Sequence, residues 1–279
     1  EKNEGMADHK MGDWAIQQID RASEDRPFFC TVGFYRPHCP FYAPPEWFEK
    51  YPVDEIELPE IKLDDLDDVP ELAKQRWEGK SNSVPVRKLL ETGRLRNWVQ
   101  AYLACVSFVD HEVGRLMDAL KHSGKLENTI VVFCGDNGLH GGEKLLVNKF
   151  MLWEESTRVP LLMAGPGIVQ GETDAPVGLV DLYPTFADLC GLDAPNHLEG
   201  TSLRRLLRDP QADWHRMAPT SWSARDHSVR SRRWRYTRYA DGSEELYDHQ
   251  EDPYEWTNLA GSPEYNKVIV RHRQHLPSE

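Results

Sequence analysis

Asp136, Asn137 and Lys149 are the residues of this chain whose types and spacing best suit chemistry. Thr129 to Cys134 is a β-branched and aromatic run, the composition of a buried strand, and Gly135 breaks it. Asp136 and Asn137 therefore sit just beyond a strand end, where open α/β sheets bind their ligands. Both offer hard oxygen atoms, suited to Ca²⁺ or Mg²⁺ rather than to a soft metal. Lys149 follows with a point positive charge. A hard cation beside a lysine makes a site for an anionic, oxygen-rich group such as sulfate or phosphate. Each residue also has a plainer use. Asp136 and Asn137 could form only an Asx turn, and a lone lysine is ordinarily a solvated one.

The elements that must position these residues can be read along the chain. Met6 to Ala22 is amphipathic, with Met11, Trp14, Ala15, Ile16 and Ile19 apolar, and is expected to be a helix. Phe28 to Phe34 reads as a buried strand. Pro37, Pro40, Pro44 and Pro45 then impose an extended loop. Tyr51 to Pro70 is acidic and proline-punctuated, the pattern of a surface excursion. Arg96 to His122 keeps apolar spacing of three and four residues, and Gly124 suits the residue just past a helix end. That helix feeds the strand ending at Asp136, a βαβ-like arrangement. Leu179 to Leu189 reads as another helix. His227 to Tyr239 alternates, and Asp241-Gly242 leads into Glu245 to Tyr247, a hairpin signal. The arginines from Arg230 to Arg238 are expected on its solvated face, Asp110 and His111 as buried polar packing in the long helix. Arg36 is expected to pair with a surface carboxylate, and Glu143 to accept backbone or lysine hydrogen bonds.

Composition bounds the function. The net charge of −13 argues against a nucleic-acid binder, which would show a basic face. It leaves an anionic substrate open, because local field outweighs total charge. No apolar run reaches the length of a transmembrane helix. The five cysteines define neither a metal site nor a disulfide framework; Cys30, Cys105 and Cys134 lie in apolar runs, where free cysteines are inert small hydrophobes.

Two blocks carry a family resemblance. Asp136, Asn137, Gly138, Gly142, Glu143 and Lys149, followed by Glu155, Thr157, Arg158, Val159, Pro160 and Leu161, resemble the sulfatase branch of the alkaline-phosphatase superfamily. They look most like iduronate-2-sulfatase and its bacterial relatives. Gly33 to Pro52 is similar to that family's Arg/Lys-Pro-His-x-Pro-Phe segment. The resemblance implies an alkaline-phosphatase-like α/β fold: a mostly parallel sheet between helices, with a small C-terminal antiparallel subdomain. Residues 1–205 would be part of the catalytic domain and 206–279 the subdomain. The implied roles are Asp136 and Asn137 as metal ligands, Lys149 as a catalytic sulfate ligand, His38 as proton donor or sulfate contact, and His140 as a further substrate contact. The implied metal is Ca²⁺, with Mg²⁺ fitting the same ligand types, and the implied substrate a sulfated small molecule or saccharide. None of the cysteines stands in the family's Cys-x-Pro-Ser-Arg motif, whose cysteine becomes the formylglycine nucleophile. The expectation is thus a C-terminal portion of a longer sulfatase, inactive alone, with the nucleophile upstream of Glu1. A periplasmic, secreted or lysosomal-type compartment goes with that family. Two alternatives stand beside it: a phosphonate monoester or phosphodiester hydrolase of the same superfamily, and a non-catalytic remnant acting as an interaction module.

Overall fold

A computed structural model describes residues 2–23, 25–78 and 86–277. In chain order the helices are α1 (Ala7–Arg21), α2 (Pro45–Glu49), α3 (Glu71–Glu78), α4 (Val86–Glu91), α5 (Arg94–His122), α6 (Glu154–Thr157), α7 (Leu182–Cys190), α8 (Arg204–Arg208) and α9 (Asn266–Arg273). The strands are β1 (Val131–Cys134), β2 (Leu161–Ala164), β3 (Ala218–Ser221), β4 (His227–Arg230), β5 (Trp234–Arg238) and β6 (Glu244–Asp248). The chain divides into two compact units: residues 1–59 with 87–130, and residues 60–86 with 131–279.

The first unit is helical. The amphipathic stripes expected for the first and longest helices appear as α1 and α5, which pack on each other. Their contact contains a buried polar knot. Glu112 is fully buried, accepts from Arg115 Nη1 at 2.5 Å and lies 2.8 Å from His9 Nδ1; Arg115 also pairs with Asp13. Glu112, rather than Asp110 or His111, is thus the buried polar group of this helix; both of those are exposed. Met6, Trp47, Ala104 and Phe108 form the apolar core of the unit. Gly124 follows α5 with φ +72°, the left-handed geometry a helix stop favours.

Phe28 to Phe34 is not a strand. A strand needs a neighbour to take its backbone hydrogen bonds, and no strand lies in the described residues of this unit. Phe29 is 81% exposed, and the segment is tethered at its end by Tyr35 N–H donating to Asp8 Oδ1 at 2.6 Å. The acidic stretch after Tyr51 is not wholly a surface excursion either. Ile56 in the first unit, and Asp65 and Val69 in the second, are buried.

The second unit carries both sheets. β1 pairs antiparallel with β2, Val131 opposite Ala164 and Cys134 opposite Leu161. Every strand pair among the described residues is antiparallel, so the mostly parallel sheet expected of the fold class is represented in this chain by β1 and β2 alone. With one neighbour, β1 is not buried: Phe133 and Cys134 are exposed. Only Cys105 behaves as the inert buried thiol expected, and burial pushes it up to about 11. The expected hairpin appears as β5–β6 around Gly242, within a four-stranded meander β3-β4-β5-β6. That meander belongs to the same compact unit as residues 131–205. The reason is a shared core: Leu146, Met151, Leu152 and Trp153 pack with Tyr239 and Tyr247.

Candidate active site

β1 delivers the chain to the site. Gly135 N–H donates to Pro160 O at 3.1 Å, continuing the pairing one residue past the strand. Asp136 and Asn137 then turn. Asn137 N–H donates to Asp136 Oδ1 at 3.0 Å, and Asn137 Nδ2 to Gly138 O at 2.8 Å. Gly138 is obligatory for packing: a Cβ there would lie 2.0 Å from the Glu155 carbonyl oxygen. Its N–H donates to Ser156 O at 3.0 Å, so the turn is pressed against α6. His140 N–H donates to Asn148 O at 2.9 Å and closes the loop. That closure brings Lys149 back, where its Nζ donates to Asn137 Oδ1 at 3.2 Å.

Asp136, Asn137 and Lys149 are thus gathered in one place, with the Asp136 carboxylate exposed and Lys149 half-buried. The donor set suits a hard cation. Asp136 supplies a carboxylate, and the Asn137 carbonyl oxygen has a second lone pair besides the one facing Lys149. Two oxygens are part of a coordination shell, since Ca²⁺ takes about six to eight. The ammonium beside them can face anionic oxygens.

His140 is different from the exposed contact its sequence position suggests. It has no solvent exposure, neither ring nitrogen has a hydrogen-bond partner, and its ring meets Trp153 edge to face with centroids 6.1 Å apart. Burial pushes its imidazole down to about 4, so it is neutral at ordinary pH. It lines a cavity of about 10 Å³ together with Glu143, Lys144, Trp153, Glu154, Glu155 and Glu255. Burial, then the charges of Glu143, Glu154 and Glu255, push the Glu155 carboxyl up to about 7. Glu143 does hold the loop as expected, accepting from Gly141 N–H at 2.7 Å. Lys144 is buried, donates to Asp65 Oδ1 at 2.7 Å and to Glu255 O, and stands 5.1 Å from the Tyr247 ring centroid.

His38 belongs to the first unit. It is exposed, its Nδ1 lies 2.6 Å from Cys39 O, and its ring packs on Tyr35 at 4.9 Å. Its neighbour Arg36 pairs with no carboxylate among the described residues; it donates to Tyr42 O at 2.7 Å and lies over the Tyr35 ring.

A second polar cluster was not legible in the sequence. Arg235 on β5 is 2% exposed, donating from Nε to Glu255 Oε1 at 2.6 Å and pairing with Glu154. Arg230 on β4 donates to Glu154 Oε2 at 3.2 Å. These two point inward, whereas Arg232, Arg233 and Arg238 stay exposed as expected. The sheet is buried on both sides at Arg235, as the 0% exposure of the adjacent Tyr236 shows, so strand alternation gives that side chain no wet face. Burial pushes the Glu255 carboxyl up, but Arg235 and His249 outweigh it and hold Glu255 at about 2. Glu154, His249 and Glu255 place their ligand atoms within 4.8 Å of one another. Arg230 and Arg235 already pair with these two carboxylates, so this cluster is an ion-pair network.

Known proteins give the geometry a context. The family profile described as Sulfatase matches residues 1–192, and that described as N-sulphoglucosamine sulphohydrolase, C-terminal, matches residues 142–279. A sulfatase of Formosa agariphila is 39% identical over 277 residues, covering 98% of this chain and 54% of that protein. The chain spans about half the length of the curated relatives it matches. A solved 2-O GAG sulfatase is 26% identical with a TM-score of 0.77, over 96% of this chain and 61% of that one. A phosphonate monoester hydrolase from Silicibacter pomeroyi reaches a TM-score of 0.84 at 22% identity, over 98% and 60%, a likeness of fold. The fold class is the expected alkaline-phosphatase-like one.

Proposed function

This chain belongs to the sulfatase family, and we propose from that premise that its second unit carries the anion-holding part of a sulfate-ester hydrolase site. One observation carries the reading: Lys149 Nζ is held at 3.2 Å from Asn137 Oδ1, beside the exposed Asp136 carboxylate. Lys149 would face the sulfate oxygens, and Asn137 would keep its ammonium aimed. Charge fixed in advance needs no reorganisation during the reaction, which is why such groups favour the transition state.

Members of this family generally use a metal ion. In our reading it is Ca²⁺, held in part by Asp136 and Asn137, and it supplies charge neutralisation and polarisation of a sulfate oxygen. His38 would protonate the departing alcohol or contact the sulfate; the sequence match supports this role. The nucleophile would be a formylglycine, which no residue of this chain is assigned to provide. We propose a sulfated saccharide as substrate, in keeping with the GAG sulfatase among the structural relatives. Residues 1–205 are proposed as catalytic and 206–279 as supporting.

The test is calorimetric titration of inorganic sulfate in the presence of Ca²⁺, with turnover of 4-nitrophenyl sulfate and of a phosphonate monoester by the full-length protein measured in parallel. Lys149→Ala should weaken sulfate binding about tenfold or more, the scale of one hydrogen-bonded charge. It should lower kcat/KM for the sulfate ester about a hundredfold. Sulfate binding unchanged in Lys149→Ala would refute the assignment, and preference for the phosphonate would move the enzyme to the other branch of the superfamily.

A further inference from the structure

Four non-glycine residues among those described have φ in the left-handed region: Lys144 (52°), Leu145 (55°), Phe150 (71°) and Glu255 (59°). Three of them lie in the loop that ends at Lys149 and Phe150. The fourth is distant in sequence. Such a conformation costs about 1–3 kcal/mol per residue and persists only where the surroundings over-determine it. Glu255 is over-determined. Its backbone oxygen accepts from Lys144 Nζ, and its Oε1 accepts from Arg235 Nε and lies 2.9 Å from His249 Nε2. Its Oε2 accepts from Glu154 N–H at 2.9 Å.

The last contact matters because of where Glu154 stands. It opens α6, a helix whose N-terminal flank, Trp153, offers no side-chain cap. Glu255 supplies the missing acceptor from outside the helix, while Arg235 and Arg230 grip the Glu154 carboxylate. α6 in turn is the surface on which the site is built. The Ser156 carbonyl takes Gly138 N–H, its hydroxyl takes Met151 N–H at 3.4 Å, and the Glu155 carbonyl fills the space beside Gly138. Both limbs that carry Asn137 and Lys149 rest on this one turn of helix.

The geometry points to Glu255, with Arg235, as a positioning pair for the anion site: it anchors the start of α6 and thereby sets the Asn137–Lys149 contact. This inference rests on the proposed role of Lys149. It acts through α6, so neither Glu255 nor Arg235 is expected to touch substrate.

The test uses Glu255→Gln, which keeps the shape and one acceptor and removes the charge. The readouts are melting of the folded chain, the rate of Lys149 acetylation by acetic anhydride relative to exposed Lys121, and, in the full-length protein, kcat and KM on 4-nitrophenyl sulfate. In the folded variant, Lys149 acetylation should rise about fivefold, the scale of releasing one hydrogen bond. The kcat should fall about ten- to a hundredfold with KM changing less, as expected for misplaced catalytic groups. Glu255→Asp should restore part of both. Should Glu255→Gln fail to fold, His249→Gln, which removes one partner of the same carboxylate, carries the same expectations at smaller size. Lys149 acetylation unchanged in a folded variant overturns the positioning role. Absence of turnover in the full-length protein, with the acetylation change intact, overturns the sulfate-ester hydrolase reading and leaves the positioning role standing.

Discussion

Replacing His140 by leucine should stabilise the protein, and increasingly so as the pH falls. The ring is fully buried, neither nitrogen has a partner, and burial holds it at about 4 instead of 6.5. Below pH 6.5 the unfolded imidazole takes up a proton, whereas the folded ring stays neutral until about pH 4. Stability tied to this residue is therefore complete above 6.5 and is lost as the pH falls through that window. Across it, at about 1.4 kcal/mol for each pH unit, the loss is about 3 kcal/mol. His140→Leu removes the loss and also a buried polar ring, whose poorly satisfied nitrogens together cost about 1–3 kcal/mol. Leucine is close to histidine in volume, and the adjoining cavity of about 10 Å³ gives it some slack. Urea denaturation of both proteins at pH 7, 6, 5 and 4.5 measures the difference. The variant should be more stable at pH 7 by about 1–2 kcal/mol, with the gap widening toward pH 4.5. A variant less stable than the parent at every pH, or a gap that does not change with pH, would show that the imidazole is hydrogen-bonded or charged in the folded state.

Two further outcomes follow from the packing around the site. Gly138→Ala should destabilise by about 2 kcal/mol or more, because its Cβ would lie 2.0 Å from a backbone oxygen that cannot turn aside; a neutral effect in urea denaturation would exclude that close approach. Asp65→Asn should cost about 3–5 kcal/mol by leaving the Lys144 ammonium buried without its anion. Adding Lys144→Met to Asp65→Asn should recover much of the loss, and strictly additive losses in the double variant would show that the two groups are not coupled.

Local patterns carried much of this protein into view. The three- and four-residue spacing of apolar side chains located α1 and α5, because a helix buries a fixed stripe whatever it packs against. Alternation and the Asp241-Gly242 turn located the β5–β6 hairpin. The spacing from Asp136 to Lys149 marked a candidate site, and the loop closed by His140 and Asn148 brings Lys149 to Asn137. What stayed hidden depends on partners distant in the chain. Phe28 to Phe34 has the residues of a strand, yet a strand exists only where a neighbour pairs with it. Arg235 reads as a solvated charge until Glu154 and Glu255 close over it. Asp65 reads as one acid among many in an exposed stretch until Lys144 meets it in the core. His140 looks like a loop histidine at an anion site, and only packing against Trp153 shows it buried and neutral. Burial and charge pairing are properties of assembled surfaces, and segments about eighty to a hundred residues apart meet only in the folded chain.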